Sequence, residues 1–324
     1  MTSTYIQSIR RAADAGDAIA PELALRVLTS QHGDLPDLMA AAHAMKRRFF
    51  GDRIICCSIL NAKSGACSEN CAFCAQSAHH QTGAQIYGLK EVPAICKAYA
   101  DACALPITHF GIVTSGGAMD ENGIRQICDA IRSKSIPEIA WCASLGSLSP
   151  EQLARLKAAG LRRFHHNLET APSFFPSICN THSFEDRVRT LRAVKQAGLE
   201  ICSGGILGMG ESLEQRVEFA LTLQQEEVDS IPLNFLVPVP GTRMEGREPM
   251  KPLDMLRSII MFRLVHPRAE LKVCAGRTYM RDIQSMIFNA GATGMMIGPL
   301  LTVAGRDVGQ DLQMLKDLEL DYAQ

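Results

Sequence analysis

The feature that most constrains this 324-residue chain is a rhythm: from about residue 53, short β-rich runs alternate with amphipathic helical stretches. Strands are expected at 54–60, 107–113, 138–142, 163–167, 199–204, 231–236, 270–274 and 293–297. Helices are expected between them, at 89–104, 120–133, 150–159, 183–197, 212–226, 252–265 and 278–290. That order is the signature of βα units around a parallel sheet. Three of the helices end alike, in "KAAGL" (157–161), "KQAGL" (195–199) and "NAGAT" (289–293). A glycine there can take the left-handed conformation that stops a helix just before the next strand. No Pro/Gly/Ser-rich linker divides the alternation. The expectation is an α/β fold: a (β/α)8 TIM-type barrel over residues 51–324, behind an N-terminal helical extension over 1–50. A doubly wound sheet would alternate in the same way, so periodicity leaves the closure open. In a closed barrel, chemistry sits at the C-terminal ends of the strands.

Hydrophobic residues make up 47% of the chain, enough for a sizeable core, and the net charge is −1. The absence of a long basic run argues against nucleic acid or anionic membrane as the main partner. No stretch of 18 apolar residues and no signal-length apolar run occurs, so a soluble, cytoplasmic protein is expected. That compartment keeps thiols reduced, and the twelve cysteines therefore need a reading other than disulfides. Cys96, Cys103, Cys128 and Cys179 stand among apolar neighbours and read as packing thiols.

Cys67, Cys71 and Cys74 are different: they form a C-x-x-x-C-x-x-C loop directly after the first expected strand. Thiolates suit zinc and iron–sulfur clusters. Structural zinc wants four closed ligands, and His79 or His80 could supply the fourth. Three thiolates suit a [4Fe–4S] cube if one iron is left for a small molecule.

This loop resembles that of the radical S-adenosylmethionine (SAM) superfamily. The resemblance implies that the three cysteines hold the cube, with Phe73 as the aromatic before the third. It implies that the open iron chelates SAM, whose reductive cleavage releases a 5′-deoxyadenosyl radical. The radical chemistry then belongs to the cofactor, and no side chain is expected to act as acid or base. "TSGG" (114–117) places Gly116 and Gly117 where the superfamily approaches the methionine amino group. "GGILGMGE" (204–211) places Gly205 and Ile206 at the adenosyl moiety.

"FHHNLETAPSFF" (164–175) is similar to a segment of the biotin synthase family, with His165 in place of the usual asparagine and Glu169 in place of aspartate. Similarity to that family runs over roughly 50–320. It implies Asn167 at cofactor and substrate, Glu169 at the SAM ribose, Arg187 and Val237 at the cofactor, and Asn234 at the substrate. Without the family, Asn167, Glu169 and Asn234 would be polar residues at strand ends with structural hydrogen bonds. The implied reaction converts dethiobiotin to biotin by sulfur insertion at two unactivated carbons. An electron-donor protein and a homodimer are implied as well.

Family members carry an auxiliary [2Fe–2S] sulfur donor held by three cysteines and an arginine. Cys142, Cys202 and Arg277 match three of these positions, whereas Gly111 stands at the fourth. Cys57 and Cys274, both at expected strands, are candidates to complete a larger auxiliary cluster with Cys142 and Cys202. Cys56 must face the other side of its strand and is given no ligand role. The alternatives are a related radical SAM maturase and, from another class, a non-catalytic zinc-binding protein.

Overall fold

A computed structural model describes residues 4–322, apart from 135 and 304. Three helices come first: α1 (Thr4–Ala15), α2 (Pro21–Leu28) and α3 (Leu35–Phe50). The barrel strands are β1 (Ile55–Lys63), β2 (His109–Thr114), β3 (Ala140–Ser144), β4 (Arg163–His165), β5 (Glu200–Cys202), β6 (Gly205–Leu207), β7 (Ser230–Phe235), β8 (Glu270–Val273) and β9 (Gly294–Met296). All pairings between them are parallel, in the order β5-β4-β3-β2-β1-β9-β8-β7-β6, and a further β5–β7 pairing closes the ring. β5 and β6 are one barrel strand interrupted at Ser203–Gly204, so the barrel has eight strands, as the rhythm leads one to expect.

The outer layer is α4 (Val92–Ala102), α5 (Glu121–Ser133), α6 (Pro150–Ala159), the short α7 (Phe175–Ile178), α8 (Phe184–Gln196), α9 (Leu213–Gln225), α10 (Pro252–Val265) and α11 (Val308–Asp317). Ser149, Ser183 and Ser212 each begin a helix with a capping box, which satisfies two orphan amides at the start of α6, α8 and α9. The three glycines expected to end helices, Gly160, Gly198 and Gly291, all have positive φ (111°, 68° and 101°). Strand side chains alternate between the barrel interior and the helical layer. On the outer side of β2 and β3, Phe110 and Trp141 pack on Tyr99 of α4, whose ring stacks on Trp141 at 4.1 Å. α10 is buried on nearly every face because α2 and α3 cover the side turned away from the barrel.

The structure departs from expectation near the C-terminus. Residues 278–290 are not one α-helix: 3-10 turns span Arg277–Ile287 and break at Arg281, whose φ is 52°. The turns bring Arg277 to Gln284 and to Asp311 of α11. Asp311 on α11 is wholly buried, so this last helix is tied into the fold rather than lying on its surface.

Candidate active site at the barrel mouth

After β1 the chain turns through Gly65 and Ala66, both at positive φ, into the three-cysteine loop. Backbone bonds from Cys67 N to Gln76 O (3.0 Å), from Ala78 N to Cys67 O (2.8 Å) and from Cys74 N to Cys71 O (3.0 Å) fix its shape. His79 Nε2 pairs with Ser68 O at 3.0 Å and His80 Nδ1 with Cys74 O at 2.8 Å. These histidines brace the loop and do not join the thiols, which counts against a closed zinc site.

The three thiols open into a cavity of about 450 Å³ at the C-terminal ends of the strands, where a barrel carries chemistry. Phe73, Gly116, Gly117, Asn167, Glu169, Arg187, Ile206, Asn234 and Val237 also line it. Gly205 lies just beneath: a Cβ there would collide with the Glu169 carbonyl, so only glycine lets the two segments bridge. Burial pushes the Cys74 thiol up to about 11. A cluster must therefore supply the charge that makes it a thiolate, and three thiols facing one cavity fit a cube with an open iron.

Glu169 adopts φ 72°, a conformation few non-glycine residues take, held by Glu169 N to Gly204 O (3.0 Å) and Ile206 N to Glu169 O (2.9 Å). Burial raises its carboxyl, against the Arg187 guanidinium 3.7 Å away. Arg187 also donates to Asn167 O at 2.8 Å and to His182 Nε2 at 2.9 Å. Asn167 Oδ1 accepts from Gly204 N (3.2 Å), while Asn234 bridges Gly205 O and Ala275 N (3.2 and 3.0 Å). Each amide keeps one hydrogen and one lone pair for a ligand.

Below the cavity lie Cys57 (β1), Cys142 (β3) and Cys202 (β5), with Cys274 (just past β8) at its wall, all buried. Burial raises each, and the electrostatic influence of Cys57 and Cys202 reaches both Cys142 and Cys274. Converging thiols on alternate strands fit a second cluster. Arg277, expected beside them, has its guanidinium bound elsewhere. Its guanidinium is paired with Asp311, Gln284 and Met296 O, and its charge is felt both by Cys56, on the helix-facing side of β1, and by Cys274. β8 ends at Val273, so alternation turns Lys272 inward, and its charge is felt by Cys57, Cys142, Cys202 and Cys274, with Arg163 acting on the first three as well. Burial opposes the charge on Lys272, but Cys57 and Glu270 hold its pKa above the ordinary lysine value.

Sequence reasoning missed Glu69, His166 and His182, which line the cavity, and the apolar segment Leu300–Val303 that walls one side. It also read Cys179 as packing, whereas its sulfur lies 3.8 Å from that of Cys71. His166 is held neutral, its pKa lowered to about 3 by burial. Among the described residues no helix is long and apolar enough to cross a membrane.

Comparison with known proteins agrees with this geometry. The profile of the Radical SAM superfamily matches residues 62–223, and that of the Biotin and Thiamin Synthesis associated domain matches 232–321. The chain is 49% identical over 315 residues to the biotin synthase of Maridesulfovibrio salexigens, covering 97% of this chain and 96% of that protein. It is 47% identical over 309 residues to the biotin synthase of Geobacter metallireducens, covering 94% of each. Among solved structures, methylornithine synthase superposes with a TM-score of 0.82 over 98% of this chain and 97% of that one. The [FeFe]-hydrogenase maturase HydG superposes with 0.81, over 98% and 76%. At 18% and 16% identity these two share the fold.

Proposed function

The chain belongs to the biotin synthase family of radical SAM enzymes, and from that premise we infer that it converts dethiobiotin to biotin by inserting sulfur at two unactivated carbons. The observation that carries the reading is the three-thiol loop opening into a cavity walled by Glu169, Asn167, Arg187 and Asn234. We assign Cys67, Cys71 and Cys74 to the [4Fe–4S] cube, and Cys57, Cys142, Cys202 and Cys274 to an auxiliary iron–sulfur cluster that donates sulfur. When bound, the cube supplies the electron that cleaves SAM to methionine and a 5′-deoxyadenosyl radical.

The side chains position and exclude. Glu169 takes the ribose hydroxyls, and Arg187 holds Glu169 and the Asn167 carbonyl in place. Phe73, Gly116, Gly117, Gly205, Ile206 and Val237 shape the SAM envelope. The free amide groups of Asn167 and Asn234 are complementary to the ureido ring of dethiobiotin. Val113, Ile59, Pro232 and Leu300–Val303 exclude water from the rest of the cavity, which keeps a radical from side reactions. The same reading calls for an electron-donor protein and a cytoplasmic homodimer.

Anaerobically reconstituted protein, given dethiobiotin, SAM and a reductant, is expected to form biotin together with 5′-deoxyadenosine. Cys67→Ala, Cys71→Ala and Cys74→Ala should each abolish both products. Cys57→Ala and Cys274→Ala should keep 5′-deoxyadenosine formation but lose biotin and part of the iron. 5′-Deoxyadenosine that forms at the same rate without dethiobiotin, and no biotin, would refute the assignment.

A further inference from the structure

Cys179 has no part in that reading, yet it stands beside one of the cube's thiols. It follows α7, and its Sγ lies 3.8 Å from Cys71 Sγ, with both residues buried. The same sulfur is 3.4 Å from Thr181 Oγ1 and 3.4 Å from His182 Nδ1. His182 is not free to bind metal or to take the thiol proton. Arg187 Nε donates to His182 Nε2 at 2.9 Å, so the ring hydrogen sits on Nδ1 and points to Glu69 Oε2 at 2.5 Å. Cys71, Cys179 and His182 are close enough to share an ion, but neither imidazole nitrogen has a lone pair to give. The Thr181 hydroxyl is likewise spent on Glu69. Glu69, Thr181, His182 and Arg187 thus form a closed hydrogen-bonded frame around the Cys179 thiol.

We propose that Cys179 is a positioning residue that donates its S–H to the Cys71 thiolate and so sets the reduction potential of the radical-generating cube. This rests on Cys71 being a ligand of that cube. Iron ligation removes the Cys71 proton, so the only hydrogen left between the two sulfurs is the one on Cys179. The bond that runs from Cys71 to Cys179 in the metal-free chain then reverses. Thr181 Oγ1 is a second acceptor within reach, but a bond to an ionised sulfur is the stronger of the two. A hydrogen bond to a ligating sulfur draws electron density from the cluster and eases its reduction. The Arg187 guanidinium, 4.0 Å from the same sulfur, acts in the same direction.

Potentiometric EPR on the reconstituted full-length chain tests this, read on the signal that changes when SAM is added. Cys179→Ala is expected to lower the midpoint potential of that signal at unchanged iron content. Cys179→Ser, whose hydroxyl donates from the same place, should return it toward the wild-type value. If the alanine variant loses iron, Cys179→Val offers the same comparison at closer volume. An unchanged potential in the donor-less variant overturns the proposal, and so does an equal shift in the alanine and serine variants, which would make the effect one of packing. Cys71→Ala separates the two levels: a SAM-responsive signal that survives in it overturns the ligand reading itself.

Discussion

Glu169 shows how one residue holds two demands at once. Its φ of 72° costs about 1 kcal/mol for a side chain with a Cβ. The conformation persists because backbone bonds to Gly204 and Ile206 fix it and because the carboxylate must face the cavity. Glu169→Gly relieves the strain and removes a buried acid, so the folded chain should lose no stability and gain up to about 1 kcal/mol. SAM binding should weaken at least tenfold, since a charged hydrogen-bond acceptor contributes about 1.5–3 kcal/mol. Equilibrium dialysis and urea denaturation on the same preparation check both halves; unweakened SAM binding would remove Glu169 from the site. Its place in "HHNLET" was legible because the residue type and its position after a strand are local properties. Lys272 was not legible in that way. Which cation faces the thiols depends on where β8 stops, and Arg277, three residues past Cys274, lies beyond the strand that sets the alternation.

At the scale of elements, the floor of the barrel is held by charge. Arg163 on β4 reaches Glu270 Oε2 and Oε1 on β8 at 2.6 and 3.2 Å, and its Nε donates to Glu200 Oε2 on β5 at 2.9 Å. Lys272 Nζ lies 2.9 Å from Glu270 on the same strand. Arg163 is 4% exposed at its side chain, so removing it strands a buried carboxylate partner. Arg163→Met is expected to cost about 3 kcal/mol, at the low end for a broken buried pair because Lys272 remains beside Glu270. Glu270→Gln in that background should recover part of the loss in a double-mutant cycle. A loss under about 1 kcal/mol would mean that packing alone holds the floor. The alternation of strands and helices and the glycines that close the helices could be read from the chain. The frame around Cys179 could not, because it joins the cysteine loop to the end of α7 and the start of α8, more than a hundred residues further along the sequence.

The whole molecule buries bases as well as acids, and this sets its response to pH. Burial, with Lys272 and Arg163 nearby, lowers His109 to about 2, and burial with Arg263 lowers His266 to about 3. Both are neutral in the folded chain, while the unfolded chain protonates them below about 6.5. Between these limits the unfolded state binds more protons, so stability rises with pH and is lost as pH falls below about 6.5. Glu270, held well below the carboxylate range despite its burial, adds a loss of the same sign at more acidic pH. His266 is the cleaner probe, because it lies outside the cavity, stacks on Phe262 at 6.1 Å and has no partner for Nε2. His266→Phe gives up one bond to the Ala220 backbone but removes a group that must stay uncharged. From pH 6.5 to 5, the wild-type urea stability should fall more steeply than that of the variant, by up to about 1.4 kcal/mol per pH unit. Parallel profiles would show that His266 titrates alike in both states, and the acid sensitivity of the fold would then have to come from the other buried histidines, His109 and His166, and from the carboxylates.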